Sequence, residues 1–312
     1  MDKIYDVVIL GGGPAGLSAA LYAGRARLST LLIERAQDGG QIAITDSIEN
    51  YPGQIVEGES GKSLVARMAE QVAKFGAERT SDAIVSVDLA GDVKKLVGNR
   101  GGEYYARTVI IATGAHPKPI GCENEGKYIG KGISFCATCD ANFFEDLEVY
   151  VVGGGDSAVE EAMYLTKFAR KVTLIHRRDT LRAAKSIQEK AFQNEKMSFL
   201  WNTVVVKVDG DELLSSMTVR NTVTGEETLI EADEDDGIFG LFGFIGYSPN
   251  SKLFEGVLDM ESGYIRTDAD MHTNVPGVFA AGDIRIKSLR QVVTAAADGA
   301  IAATQAEKYL NH

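Results

Sequence analysis

Residues 11–16 of the chain read Gly11-Gly12-Gly13-Pro14-Ala15-Gly16, and this stretch decides the fold. It follows Ile4–Leu10, a run that is apolar apart from Asp6 and predicts a strand. It opens the small-residue pattern Pro14–Arg27, which predicts a helix. In that context the first glycine allows a tight turn, the second admits a pyrophosphate, and the third lets helix and strand pack closely. Main-chain N–H groups at the start of such a helix bind phosphate. The loop therefore predicts an adenine dinucleotide site at Gly11, Gly13, Pro14, Ala15 and Gly16.

A second loop of this kind, Gly153-Gly154-Gly155-Asp156-Ser157-Ala158, follows the apolar run Leu147–Val152. Alanine replaces the third glycine, which this fold tolerates. The pattern predicts a helix over Ser157–Ala169 and a strand over Lys171–Ile175, as Thr30–Glu34 follows the first loop. Continuous apolar strands joined by helices indicate parallel sheets covered on both faces. The fold class is therefore α/β, with two Rossmann-like dinucleotide-binding domains, and Gly153, Gly155, Asp156 and Ser157 form the second site.

The residues after the second strand of each unit distinguish the two nucleotides. Glu34 ends the strand of the first unit, where a carboxylate binds ribose hydroxyls. The corresponding place in the second unit holds His176, Arg177 and Arg178, with Arg182 close behind. An arginine cluster binds a 2′-phosphate bidentately, whereas a carboxylate would repel it. The cluster favours NADP(H) over NAD(H); the alternative is a solvated basic helix start in which Asp179 and Arg182 pair at the surface.

Between the two loops lies the sequence Cys136-Ala137-Thr138-Cys139-Asp140. A Cys-x-x-Cys pair is a redox disulfide, half of a zinc site or a coincidence. Zinc would need two more ligands, and the histidines show no metal spacing, so we expect no metal. Cysteines three residues apart near a helix start have a lowered thiol pKa, which favours exchange. Asp140 is then placed to handle the proton of a cycling thiolate, or else caps a helix. We expect Cys122, the third cysteine, to be an inert thiol.

Two candidate linkers divide the chain. Ala115–Gly121 carries two of the chain's six prolines, and Gly243–Pro249 is the second candidate. Beyond the second linker we predict a strand and turn over Val278–Asp283 and a helix from about Ser288 to Leu310, both belonging with the first unit. The domains predicted on this basis are 1–117 with 245–312 for the first nucleotide, and an inserted 118–244 that carries the second nucleotide and the cysteine pair.

Bulk composition excludes several classes of protein. The formal net charge of −12 over 312 residues argues against a nucleic-acid partner. The apolar runs fall short of the ~18 residues of a membrane span, so we expect no membrane partner. The chain opens with mixed charge and leads straight into the first glycine loop, which argues against a secretory signal. We therefore expect a cytoplasmic protein, in which a Cys-x-x-Cys pair is more often catalytic or metal-binding than structural.

Together these motifs resemble the bacterial-type, low-molecular-weight thioredoxin reductases, from the first strand to the last helix. The resemblance is carried by the two glycine loops, the cysteine pair with Asp140, the arginine cluster and four further stretches: Gly39-Gly40-Gln41, Glu49-Asn50-Tyr51-Pro52-Gly53, Gly282-Asp283 and the run from Leu289 to Gly299. The chain departs from the family in the additional glycines of Gly240–Gly246, which suggest an altered hinge.

The resemblance implies FAD in the first site and NADPH in the second. Gly40, Gln41 and Asn50 would line the flavin, Asp283 would contact the ribityl chain, and Arg290 and Gln291 would border the ring. Arg35 and Thr45 are further expected contacts of the cofactor, beside the ribose contact of Glu34. The implied activity is that of an NADPH-dependent thioredoxin-disulfide reductase. NADPH reduces FAD, the flavin reduces the Cys136–Cys139 disulfide with Cys139 against the ring, and the dithiol reduces thioredoxin. A homodimer is implied as well.

Four other functions share parts of this pattern. A small-molecule dithiol oxidase and a ferredoxin-fed thioredoxin reductase would not need the arginine cluster. A ferredoxin-NADP reductase of the same fold would not need the cysteine pair. A flavoprotein redox sensor that binds partners without turnover needs neither Asp140 nor a complete set of redox groups. Thioredoxin reduction is the function that uses every motif.

Overall fold

The computed structural model describes residues 3–44, 48, 50–55 and 57–311, and of Ile44 the main chain only. The chain divides into two units. The first unit comprises Met1–His116 and Ser248–His312, and the inserted unit comprises Pro117–Tyr247. None of the helices in the described ranges is both long and apolar enough to cross a membrane.

The elements follow one another in chain order. The segment up to the first boundary contains β1 (Ile4–Leu10), α1 (Pro14–Arg25), β2 (Thr30–Glu34), a 3₁₀ turn (Gly40–Ile44), α2 (Gly61–Lys74), β3 (Glu78–Ser81), β4 (Ile84–Asp88), β5 (Lys94–Gly98), β6 (Glu103–Ile111) and β7 (Ala115–Pro117). The inserted unit contains α3 (Glu125–Tyr128), β8 (Ile133–Ser134), α4 (Ala137–Asp140), a 3₁₀ turn (Ala141–Phe144), β9 (Glu148–Gly153), α5 (Asp156–Leu165), β10 (Lys171–Ile175), α6 (Lys185–Phe192), β11 (Met197–Leu200), β12 (Thr203–Asp209), β13 (Ser216–Asn221), β14 (Glu227–Glu231) and β15 (Gly240–Phe244). The last segment contains β16 (Tyr247–Pro249), a 3₁₀ turn (Lys252–Phe254), β17 (Met260–Glu261), β18 (Tyr264–Ile265), β19 (Val278–Ala280), a 3₁₀ turn (Gly282–Ile284) and α7 (Val292–Leu310).

The main sheet of the first unit has the order β3-β2-β1-β6-β5-β4, with β19 also paired to β6. The strands β3, β2, β1, β6 and β19 run parallel. Alternate residues of β1 serve two cores, because Val7 and Ile9 pack with α1 and α7 while Val8 and Leu10 pack on the opposite face. Covering both faces explains why residues 7–10 of β1 form a continuous apolar run. The sequence did not predict that β5 runs antiparallel to both of its neighbours, β4 and β6.

The C-terminal segment lies in the first unit, where β19 pairs with β6. Helix α7 packs closely on α1: a side chain at Gly299 would meet the Ala15 carbonyl oxygen at 2.1 Å. The helix begins at Val292, however, and not near Ser288, because Gln291 is its N-cap in a capping box with Thr294. Helix α1 also ends earlier than predicted, at Arg25, and the chain then turns through Arg27 at a φ of 61°.

The inserted unit contains a parallel sheet of order β11-β10-β9-β15-β8 and an antiparallel sheet β12-β13-β14. The glycine-rich segment that suggested an altered hinge is largely strand β15, paired with β9 and β8. A side chain at Gly240 would meet the Phe144 ring at 2.9 Å, and one at Gly243 would meet the Phe135 ring at 2.8 Å. These glycines therefore admit aromatic side chains against the sheet.

Candidate functional site

The first glycine loop joins β1 to α1 with the tight contacts that its spacing predicts. Gly11 has a φ of +107°, and a side chain there would meet the Ala112 carbonyl oxygen at 2.4 Å. A side chain at Gly16 would lie 1.7 Å from the Gly11 carbonyl oxygen, so helix and strand can approach only with glycine here. At Gly13 the space within 4 Å is open. The loop is thus closed toward the core and open where a pyrophosphate would approach the start of α1, which fits a dinucleotide.

The Glu34 carboxylate lies at the end of β2 and is fixed by two main-chain groups. Gly12 N donates to its Oε2 at 2.7 Å, and Ala36 N donates to its Oε1 at 3.0 Å. These bonds orient the acid beside the glycine loop, where a ribose would lie. Arg35 is exposed beside it and forms no ion pair within the described residues.

Two predicted flavin contacts that are far apart in sequence meet in the structure. The Asn50 side-chain amide donates to Oε1 of Gln291, the N-cap residue of α7, at 3.1 Å. Gln41, next to Gly40 in the 3₁₀ turn, donates its side-chain amide to the Ala115 carbonyl. Thr45, also predicted to bind the cofactor, lies outside the described residues.

Asp283 and Arg290 carry buried polar atoms that have no hydrogen-bond partner among the described residues. These atoms are Oδ1 of Asp283 and Nε of Arg290, whose guanidinium lies over the Tyr264 ring at 4.5 Å. Burial raises the pKa of the Asp283 carboxyl, and Lys287 and Arg290 oppose that shift. Because buried polar groups are normally paired, these two atoms fit a ligand that supplies a donor and an acceptor. That is the chemistry of a ribityl chain and a flavin ring.

Sequence reasoning missed the residue that anchors the Gly282–Asp283 turn. Asp298, buried on α7, accepts at Oδ2 from Gly282 N at 3.0 Å and from Lys287 Nζ at 2.8 Å. Arg285 Nη1 lies 3.3 Å from the same oxygen. The available signal was one charge in the otherwise small and apolar run Ala295–Gly299.

In the inserted unit, Cys136 and Cys139 form a disulfide with a Cα–Cα distance of 5.3 Å. Cys136 is the N-cap residue of α4, so the pair lies at a helix start as predicted. Both cysteines are partly exposed. Asp140 accepts a hydrogen bond of 2.5 Å at Oδ2 from Ser134 Oγ, which in turn accepts from Cys136 N at 3.1 Å. The buried Ser134 hydroxyl therefore connects the acid to the disulfide segment, a role that the sequence did not reveal.

The second glycine loop, between β9 and α5, differs from the first in what lies beneath it. A side chain at Gly154 would meet the His176 ring at 2.2 Å, whereas the space at Gly155 is open except for Arg182 Nη2 at 3.9 Å. His176 is 5% exposed, and its Nδ1 lies 2.7 Å from the Gly153 carbonyl oxygen. The structure thus places His176 under the loop and the Arg182 guanidinium beside it.

Burial, the main influence on His176, lowers its pKa, and the neighbouring Arg182 and Arg177 act in the same direction. Arg177, Arg178 and Arg182 themselves are exposed. Within the described chain none of the three forms an ion pair, and Asp179 does not pair with Arg182. Three exposed cations without internal counter-charges, next to an open helix N-terminus, fit a ligand that carries a 2′-phosphate and a pyrophosphate.

The third cysteine is chemically distinct from the pair. Cys122 is partly buried, and burial raises the pKa of its thiol to about 11, with a smaller contribution from Glu125. Among the described residues, no cluster of three or more histidine, cysteine or acidic side chains is arranged to hold a metal ion.

Comparisons with known proteins agree with this chemistry. The model of the pyridine nucleotide-disulphide oxidoreductase family matches residues 5–299. The chain is 61% identical over 311 residues to a thioredoxin reductase of Peptoclostridium litorale, covering 99% of this chain and 98% of the relative. It is 50% identical to that of Bacillus subtilis (strain 168), covering 99% and 96%. The crystal structure of thioredoxin reductase from Streptococcus pyogenes MGAS5005 is similar at a TM-score of 0.92 and 43% identity, covering 100% and 99%.

Proposed function

The chain belongs to the pyridine nucleotide-disulphide oxidoreductase family, among its thioredoxin reductases, and we propose that it passes electrons from NADPH through FAD and the Cys136–Cys139 disulfide to thioredoxin. The observation that carries this function is the combination in the inserted unit of a disulfide at a helix start, bonded through Ser134 to an acid, with an open glycine loop flanked by unpaired arginines. NADP(H) binding and disulfide exchange each account for only part of that set.

The two domains take different nucleotides in this proposal. Residues 1–117 and 245–312 bind FAD, and residues 118–244 bind NADPH and carry the cysteine pair. FAD is held by Gly11, Gly13, Pro14, Ala15, Gly16, Glu34, Arg35, Gly40, Gln41, Thr45, Asn50, Asp283, Arg290 and Gln291. NADPH is contacted by Gly153, Gly155, Ser157, Arg177, Arg178 and Arg182. His176, from beneath the loop, and Asp156, at the start of α5, support that site. When bound, FAD accepts a hydride from NADPH and delivers two electrons to the disulfide.

The chain's own residues then manage thiols and protons. Reduction of the disulfide gives two thiols, of which one must be a thiolate to attack the disulfide of thioredoxin. The start of α4 stabilises negative charge on Cys136. Asp140, held by the hydrogen bond from Ser134 to its Oδ2, exchanges the proton with a cysteine sulfur.

Substitution of the redox cysteines tests this function. We expect Cys136→Ser to keep reduction of the bound flavin by NADPH and to lose reduction of thioredoxin, since the disulfide cannot form. Cys122→Ser is the matched control and should keep both, because its thiol lies outside the proposed exchange. Thioredoxin reduction retained by Cys136→Ser would overturn the proposal.

The exposed arginines also favour this function over its rivals. A ferredoxin-fed thioredoxin reductase or a small-molecule dithiol oxidase has no use for three unpaired cations beside a glycine loop. We place the enzyme in the cytoplasm, where NADPH is available and a cycling disulfide is returned to its dithiol form.

We further propose that the enzyme is a homodimer joined through its first unit. Apolar side chains on and beside α1, α2 and α7 are exposed: Tyr22 by 47%, Phe75 by 37%, Val293 by 39% and Ile301 by 36%. A groove between these helices is lined by Leu21, Tyr22, Met68, Val293 and Ala297. A contiguous apolar face on a soluble protein marks an interaction site, and a second copy of the chain presents the same face. Sedimentation equilibrium should give a dimer that Val293→Glu dissociates; a wild-type monomer would contradict this assignment.

A further inference from the structure

The three arginines near the second loop lie on one short segment, the arginine arm, which we define as residues 177–184. Its arginines are exposed, whereas Leu181 and Ala183 within it are buried. The arm has no regular secondary structure of its own before α6 begins at Lys185. Its position relative to the glycine loop therefore depends on the packing of Leu181 and Ala183 in the core of this unit and on individual hydrogen bonds.

Three main-chain donors of the arm attach it to the loop. Arg182 N and Ala183 N donate to the Gly154 carbonyl oxygen at 2.8 and 3.2 Å. Ala184 N donates to Oδ1 of Asp156 at 2.7 Å. The first two bonds use a main-chain acceptor that any sequence would supply. The third depends on the side chain at position 156.

The location of Asp156 argues against a direct role in phosphate binding. It is the first residue of α5, where the helix dipole favours negative charge. A carboxylate would repel a pyrophosphate bound at this helix start. The Asp156 Oδ1 instead accepts the hydrogen bond from Ala184 N of the arm. We propose that Asp156 is a positioning residue that sets the preference for NADPH over NADH, by holding the arginine arm where its guanidinium groups meet the 2′-phosphate. This inference depends on the NADPH site proposed above.

Two variants remove the same hydrogen bond from opposite sides. Asp156→Ala removes the acceptor. Ala184→Pro removes the donor, and the φ of −57° at Ala184 already suits proline. Asp156→Asn keeps an acceptor oxygen and removes only the charge. Asp179→Ala is the matched control, because it removes an exposed carboxylate from the arm without a hydrogen bond to the loop.

The experiment measures binding of adenosine 2′,5′-bisphosphate and of adenosine 5′-monophosphate to the FAD-loaded enzyme by calorimetry, with KM and kcat for NADPH and NADH alongside. We expect Asp156→Ala and Ala184→Pro each to raise the Kd of the bisphosphate about threefold to tenfold, the loss of one hydrogen bond. The Kd of the monophosphate and kcat should stay within about twofold, since neither depends on the arm. The double variant should bind the bisphosphate no more weakly than either single variant. Asp156→Asn and Asp179→Ala should not raise the Kd of the bisphosphate.

The inference would be overturned if Asp156→Ala raised the Kd of both ligands equally, or if Asp156→Asn raised the Kd of the bisphosphate as much as Asp156→Ala. Either result would leave the NADPH site intact. A purely repulsive carboxylate would instead make Asp156→Ala bind the bisphosphate more tightly, which also overturns it. A wild-type enzyme with no preference for the bisphosphate would overturn the NADPH site and the inference together.

Discussion

The Ser134 hydroxyl donates a 2.5 Å hydrogen bond to Oδ2 of Asp140 while it accepts from the main-chain N–H of Cys136 at 3.1 Å. One buried side chain therefore fixes both the acid and the disulfide segment. Because a hydroxyl has a single proton, donation to Asp140 excludes simultaneous donation to the Cys136 carbonyl oxygen, 3.4 Å away. Asp140 thus has a defined orientation before any thiol is formed.

Replacing Ser134 by alanine should slow thioredoxin reduction by about tenfold to a hundredfold, since a hydrogen bond to a charged acceptor contributes roughly 1.5–3 kcal/mol. Reduction of the flavin by NADPH, measured by stopped flow, should not change. Ser198→Ala is a suitable control, because Ser198 is bonded to Thr173 at 2.8 Å in the same unit and lies outside the disulfide segment. An equal slowing of both steps would mean that Ser134 supports the fold and does not position Asp140.

The stability of the inserted unit should depend on the protonation of His176. Burial lowers its folded-state pKa below 6.5, so protons bind more readily to the unfolded chain. Its contribution to stability is therefore complete above pH 6.5 and is lost as the pH falls through the folded-state pKa. His176→Asn keeps a donor for the Gly153 carbonyl oxygen and removes the titration.

We expect the free energy of unfolding to fall more steeply for wild type than for His176→Asn between pH 7.5 and 5.5. The single tryptophan, Trp201, lies 6.5 Å from His176 between ring centroids, so its fluorescence reports on this unit. His116→Asn, in the first unit, should behave as wild type. Parallel pH curves for wild type and His176→Asn would show that the imidazole is not desolvated.

Asp283 and Asp298 should respond in opposite ways to substitution by asparagine. Burial raises the folded-state pKa of Asp283, so its ionisation costs stability once the pH rises through that pKa. Asp283→Asn should therefore stabilise the flavin-free protein at pH 7 and weaken FAD binding about tenfold. Asp298→Asn leaves Lys287 and Arg285 without a counter-charge and should destabilise by about 3 kcal/mol. Denaturant titration measures the free energy of unfolding, and flavin fluorescence measures FAD binding. If Asp283→Asn destabilised the flavin-free protein, the Asp283 carboxylate would not be unpartnered.

Cys122 should react slowly with thiol reagents in the native enzyme. A rise in its pKa from 9.0 to about 11 reduces the thiolate at pH 7 about 100-fold. In a reaction with a chromogenic disulfide, the oxidised enzyme should give no fast thiol, and the NADPH-reduced enzyme should give two. A fast thiol in the oxidised enzyme that Cys122→Ser removes would contradict the assignment of Cys122 as inert.

The sequence predicted the parts of the fold that depend on local pattern. The strands β1, β2 and β10 have the predicted bounds. Each is a short apolar run next to a predicted helix or glycine turn, and this pattern predicts a buried strand. The antiparallel strands β4 and β5 were missed because their short, half-polar sequences carry no comparable signal. The start of α7 was placed too early, since the capping box of Gln291 and Thr294 is set by side-chain bonds.

The candidate site likewise has residues that the sequence predicted and residues that it did not. Glycine spacing, Cys-x-x-Cys and an arginine cluster are chemically distinctive, so they could be found in the sequence. Ser134, Asp298 and the partner of Asp156 could not, because serine and aspartate are common and their roles arise from contacts across the fold. The partner of Asp156 is a main-chain N–H, which any residue at position 184 except proline would supply, so the sequence gives no sign of this bond.

The central claim is the passage of electrons from NADPH to thioredoxin, and an anaerobic titration of the FAD-loaded enzyme tests it most directly. The absorbance of the flavin is followed during addition of NADPH or NADH, and thioredoxin with a disulfide reporter is then added. We predict bleaching by NADPH at far lower concentration than by NADH, followed by turnover that requires thioredoxin and is absent in Cys136→Ser. Slow bleaching by either nucleotide, or turnover that persists in Cys136→Ser, would contradict the account.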